Sequence, residues 1–172
     1  MFLNYFKDFS TKKIVKNNLS NVKHLASDSV IKTVGIIFDE SYFNEREDLV
    51  EELVRKGIDE KDVKVLVYKD KIKKNEVFDY PVFSHKDLSW TGTVDKKEVK
   101  DFITEPFDLL INYYDTEKVA LLLVSNLSKA GFKVGFASID KRLNHFMIDT
   151  NAENYKIFMS ELFKYLKILN KI

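Results

Sequence analysis

Seven residues at the ends of three predicted strands carry types that could do chemistry. They are Asp39 and Ser41 in "FDESYFNERED", Tyr114, Asp115 and Thr116 in "FDLLINYYDTEK", and Ser138 and Asp140 in "KVGFASIDKRLNHF". Carboxylates so placed suit a hard cation, since magnesium takes one or two carboxylates with water and substrate oxygens, and Asp39, Glu40 and Asp115 could supply them. The same types are those that helix N-caps require, and Asp39, Ser41, Asp115 and Thr116 each precede a predicted helix. A ligand crevice and a set of plain helix starts are both open on these residues. Alternation along the strand sends Tyr113 and Tyr114 to opposite faces, so one packs under a helix and the other faces the crevice.

Other chemistry is excluded by what the motifs lack. A dinucleotide or phosphate site after the first strand needs glycines for backbone approach, and "FDESYFNERED" has none while offering two carboxylates that repel an anion, so the Rossmann fingerprint and the P-loop are absent. His24, His85 and His145 show no metal-ligand spacing. No Gly-x-Ser-x-Gly elbow occurs, which removes the common acyl-transfer framework. The chain has no cysteine, so disulfides, thiolate metal sites and cysteine nucleophiles are all excluded. Asp140, Lys141 and Arg142 could grip a carboxylate or phosphate, or form a solvated turn. No cofactor and no metal are expected.

The elements that must position these residues alternate between strand and helix. "IKTVGIIFD" reads as a first buried strand over Thr33–Phe38, "SYFNEREDLVEELVRKG" as a helix capped by Gly57, and "VKVLVYKD" as a second strand, which makes a βαβ unit. Residues 69–94 are hard to assign, with a short third strand in "DYPVFS". Asp95 and Glu98 resemble a capping-box start to a short helix. "FDLLINYY" is a fourth strand, "TEKVALLLVSNLSKAGF" an apolar helix ended by Gly131, "KVGFAS" a fifth strand and "HFMID" a short sixth. Thr150 and Glu153 form a capping box before a last helix striped by Tyr155, Phe158, Leu162, Leu166 and Leu169. The pattern predicts a three-layer α/β/α sandwich, Rossmann-like or flavodoxin-like, with a mostly parallel sheet of five to six strands and an extra N-terminal helix. In the usual order, 3-2-1-4-5, strands one and four flank the switch point where open α/β sheets bind ligands, and the seven residues gather there.

At 172 residues with 45% hydrophobic content, the chain fits one domain over 29–172, preceded by a basic amphipathic segment over 1–28 that packs on it. A net charge of +1 gives no global field for nucleic acid, and no specific nucleic-acid motif occurs. Charge is nevertheless polarised: residues 1–32 are rich in lysine, and 39–52 carry seven carboxylates against Arg46 alone. The N-terminal helix, anchored by Phe2, Phe6 and Phe9, could touch an acidic surface peripherally. No segment approaches ~20 uninterrupted apolar residues, so no transmembrane span is expected, and the lack of cysteine suits the cytoplasm.

At "FSHKDLSWTG", "LSKAGFKVGFA" and "IDKRLNHFMIDT" the chain resembles an uncharacterised family of small Bacteroidota proteins, a domain of unknown function. The resemblance spans nearly the whole length. It implies a bacterial, cytoplasmic, single-domain protein and brings no activity and no site residues. Two functions follow from the residues: a non-catalytic binding or interaction module with a protein partner, or a small enzyme or ligand carrier using the acidic and tyrosine crevice, with a divalent cation.

Overall fold

The β-branched run VGIIFD forms β1 (Val34–Asp39), buried along its whole length, because a central parallel strand is covered on both faces. The structure, a computed structural model, describes residues 12, 13, 15–17, 19, 29–41, 43–89 and 92–172. The expectations for Phe2, Phe6, Phe9 and His24 lie outside those residues. After β1 come α1 (Arg46–Arg55), β2 (Val63–Tyr68), β3 (Val82–Phe83), α2 (Lys97–Thr104), β4 (Leu109–Tyr113), α3 (Val119–Leu127), β5 (Phe132–Phe136), β6 (Phe146–Ile148) and α4 (Tyr155–Ile168). All strand pairs are parallel and the order is 3-2-1-4-5-6, the expected arrangement with the sixth strand added at one edge.

The helices form two layers. On one face α1 and α4 touch each other, and Phe38, Tyr113 and Phe136 from three neighbouring strands meet Phe43 and Phe158 in one aromatic cluster. On the other face α2 contacts α3. There the rings of Phe102 and Phe107, 5.0 Å apart, lie directly over β1. A Cβ at Gly35 would come within 2.7 Å of Phe107, so the close approach of that aromatic pair requires glycine.

Two connections dispense with a helix. Residues 69–81 join β2 to β3, and residues 137–145 join β5 to β6, the second shorter than the dozen or more residues that parallel crossovers usually take. In the second, Ile139 and Leu143 are buried and supply the apolar cover that a helix would bring. Asn144 lies so near β5 that a Cβ at Gly135 would meet its Nδ2 at 2.6 Å.

Helix starts depart from the sequence expectation. The N-cap positions are Glu45, Lys96, Lys118 and Asn154, and none makes a side-chain capping bond. Asp39, Ser41, Asp115 and Thr116 stand several residues before their helices, and the boxes at Asp95 and Thr150 do not cap. The capping box that forms is Ser84 with Asp87, on the short 3-10 turn His85–Asp87. Helix ends follow backbone rules more closely. Gly57, at φ 98°, donates to Val54 O at 2.9 Å while Ile58 donates to Leu53 O at 3.2 Å, the paired bonds of a Schellman motif. Asn170, at φ 53°, ends α4 the same way, with Lys171 donating to Leu166 O at 2.8 Å. Gly131 does not end α3, which stops at Leu127.

Candidate functional site

The carboxyl ends of β1 and β4 are neighbours, as the switch-point topology requires. Asp39, with its side chain only 5% exposed, accepts from the Ser41 N–H at 3.0 Å and from the Lys118 ammonium at 2.9 Å. Lys118 also reaches Asp70 at 3.0 Å and lies 4.9 Å from the centre of the Tyr68 ring. One ammonium thereby ties together the end of β1, the loop after β2 and the start of α3. Partial burial would raise the Asp70 carboxyl, but the hydrogen bond and charge of Lys118 prevail and hold it below the ordinary range.

Glu40 is committed in the same manner. Lys69 contacts it at 2.9 Å and Glu76 at 3.2 Å, and the Tyr80 hydroxyl donates to Glu40 at 3.2 Å. The Arg46 guanidinium lies 3.5 Å above the Tyr80 ring. These contacts hold the charged connection 69–81 against the sheet edge. Sequence reading missed Lys69, Asp70, Tyr80 and Lys118; a lysine just ahead of a helix, facing a strand-end carboxylate one crossover away, is the signal that could have found Lys118.

The β4 and β5 ends form a separate group. Asp115 accepts from the Ala152 N–H at 2.9 Å, and its carbonyl accepts from the Ser138 hydroxyl at 2.8 Å. Asp115 thus fastens the segment leading into α4, while Thr116 is exposed beside it, 3.4 Å from its carboxylate. Asp140 is held by Arg142 through Nε at 3.0 Å and a terminal nitrogen at 2.7 Å, a bidentate pair that pushes the carboxyl down to about 2. Lys16, from the N-terminal region, meets Glu117 at 2.6 Å. The structure brings Asp39 and Ser41 together, and Asp115 with Thr116 and Ser138; the carboxylates Asp39 and Asp115 are occupied by their own partners, whereas the buried Ser41 Oγ has no hydrogen-bond partner among the described residues.

Neither tyrosine faces the crevice. Tyr113 and Tyr114 are each 1% exposed, because helices cover both faces to the strand's end. Tyr113 donates to Ala152 O at 2.6 Å. Tyr114 belongs to a polar seam between the sheet and α3. Its hydroxyl lies 2.7 Å from Ser125 Oγ, which donates to Asn112 Oδ1 at 2.8 Å, and Asn112 Nδ2 donates to Asn144 Oδ1 at 2.7 Å. The single Ser125 proton goes to Asn112, so Tyr114 is the donor to Ser125. Burial pushes the Tyr114 phenol far above its usual range.

Lys133 completes the seam. Its ammonium, 3% exposed by residue, donates to Ser125 O at 2.7 Å, one of the carbonyls left without an intrahelical partner at the end of α3. A cation there also meets the negative end of the helix dipole. Burial, with a smaller contribution from the Lys129 charge, lowers the Lys133 amine to about 8. His145 Nδ1 accepts from the Lys133 N–H at 2.9 Å, and its ring stacks on Phe132.

A model of the family of unknown function DUF6913 matches residues 7–169. The chain belongs to this family. No curated protein and no solved structure matches it. In this DUF6913 chain, no group of three or more His, Asp or Glu side chains is placed to hold a metal among the described residues. Nor is any helix there long and apolar enough to cross a membrane.

Proposed function

We propose that this DUF6913 protein is a non-catalytic binding or interaction module acting on a protein partner in a reducing, bacterial cytoplasm. The observation that carries the reading is Lys118, whose ammonium sits between Asp39 and Asp70 at the switch point. A crevice meant to receive a cation or a reacting substrate keeps polar groups in reserve, and here Asp39, Glu40, Asp115 and Asp140 each have an internal partner. The absence of cysteine supports the compartment.

The test is native mass spectrometry of the gently purified protein, with melting curves in magnesium, manganese and calcium. The expected result is an unadorned mass and a melting temperature unmoved by any of the three ions. A co-purifying small molecule, or a divalent-dependent rise in melting temperature that Asp39→Asn or Asp115→Asn abolishes, would instead establish a ligand crevice, since a ligand that binds only the folded state raises its stability.

A further inference from the structure

The edge of the sheet at β2 is only half covered. β3 pairs with Val67 and Tyr68 alone, leaving the first half of β2 as an outer edge. Val67 N–H donates to Pro81 O and Lys69 N–H to Phe83 O, whereas Tyr68 O accepts from Glu40 on the β1 side. Odd-numbered residues of β2 therefore point their backbone groups outward. Val63 N–H is taken by Glu60 O in the preceding turn. Among the described residues, Val63 C=O, Val65 N–H and Val65 C=O have no partner on this side. The cause is in the sequence: the residue of the third strand that would donate to Val65 C=O is Pro81, which has no N–H. Farther along, the outer edge is defended, because Lys96 donates to Val82 O on β3.

A groove of about 320 Å³ lies against this open stretch, lined by Lys64, Val65, Pro81, Phe102 and the carboxylates Glu98, Asp101 and Glu105. Val65, Pro81 and Phe102 make an apolar floor. The carboxylates come from α2 and its end: Lys64 meets Glu105 at 2.6 Å and Lys97 meets Asp101 at 3.1 Å, which leaves Glu98 as the exposed carboxylate of the groove wall with no ion pair among the described residues. We infer that this groove binds an extended, lysine- or arginine-bearing peptide segment of a partner protein, which adds as a strand beside Val63–Val65. The inference rests on the interaction-module reading and names its surface. Backbone bonds to Val63 and Val65 hold the segment; its side chains alternate between the two faces, so the apolar ones lie on the face of Val65 and the basic ones on the α2 face, where one meets Glu98. The strand is limited to a few residues because Pro81 and β3 occupy the continuation, so the complex is weak and readily released.

The experiment is an NMR titration of the isotope-labelled full chain with the acetylated, amidated peptide Lys-Val-Lys-Val-Lys-Thr. Two further copies are used, one N-methylated on its lysines and the other on its valines. Backbone donors alternate along a strand, so one methylated copy loses the bonds to β2 and the other keeps them. The expected result is shift changes at Val63–Leu66 and in α2, slower exchange of the Val65 amide, and affinities for the two methylated copies that differ by about tenfold. Glu98→Lys, at an exposed position, weakens the parent peptide by about fivefold while the melting curve stays in place. Equal binding of both methylated copies would reduce the contact to charge attraction and overturn the inference. So would shifts confined to Ser41, Asp70 and Lys118, which would move the interaction to the switch point and leave the module reading standing. No shift at saturating solubility of the peptide also overturns it, while the module reading is judged separately by the adduct and divalent-ion measurements.

Discussion

Asp39 and Lys118 meet at the rim of the sheet, where Asp70 is half open to water, whereas Asn112, Ser125 and Asn144 meet under α3 with almost no exposure. Both regions pair polar groups with polar groups, with Ser41 Oγ at the rim and Asn144 Nδ2 in the seam left without a hydrogen-bond partner among the described residues, yet the physical stakes differ. At the rim, water can replace a lost partner. In the seam, a lost partner leaves a donor or acceptor with nothing, and the full desolvation cost falls on the folded state. The comparison separates residues that fix the fold from residues that shape a surface, and sequence types alone do not make that separation.

Breaking the seam has the largest expected effect. Asn112→Ala removes the acceptor of Ser125 and the donor to Asn144 at once. A loss of about 3 kcal/mol in unfolding free energy is expected, read from urea denaturation with an unchanged slope. If the loss is no greater than that of a rim substitution, water already enters the seam and the contrast collapses.

Lys133 sharpens the comparison through pH. Its folded-state amine titrates at about 8 against an ordinary 10.5, so between those values the unfolded chain holds a proton that the folded chain has released. The unfolded state then binds more protons, and stability rises with pH across the window; below about 8 both states are charged and the folded one carries the burial penalty. The rise from neutral pH to pH 10 is expected to be about 2 kcal/mol, and Lys133→Met should remove it, with the difference between the two proteins isolating this group. Equal slopes would place the ammonium in contact with water.

Much of the fold was legible because its signals are local and redundant. The runs VGIIFD and LLINY, the Gly57 helix end and the βαβ spacing predict a parallel sheet in the order found. What failed depended on long-range partners. Asp115 is as good a cap by type as any residue, but the Ala152 N–H, 37 positions away, claims it. Lys133 sits in a strand of otherwise apolar character, and only the meeting of β5 with the end of α3 explains a buried ammonium there. Tyr114 was expected to face the crevice because alternation says which side a residue points to, while the helix that covers that side is a tertiary fact. The connection 69–81 has no period, since ion pairs and Tyr80 rather than a packed helix hold it in place.

The rim pair has an intermediate expected effect. Lys118→Met leaves Asp39, nearly buried, without its ammonium, at a cost of about 1.5 kcal/mol. Adding Asp39→Asn should recover most of that loss, because the uncompensated charge is then gone, and a double-mutant cycle by thermal denaturation gives the coupling. A double variant as unstable as the sum of the singles would show that Lys118 acts through packing on Tyr68 instead of through charge.

The smallest effect belongs to Asp140 and Arg142, a pair within one loop. The folded-state carboxyl lies at about 2 against an ordinary 3.8, so the pair's contribution is complete above the unfolded value and disappears as pH falls from 3.8 towards 2. Because the Arg142 side chain is more than a third exposed, solvent screening limits the contribution well below what the shift alone would suggest. Asp140→Asn should cost about 0.5 kcal/mol at neutral pH, and molar salt should shrink the difference further. A cost several times larger and insensitive to salt would mean that the loop 137–145, which replaces a crossover helix between β5 and β6, depends on this ion pair as the seam depends on Asn112. The loop and the buried seam would then be one cooperative unit, with Asn144 as the residue that joins them.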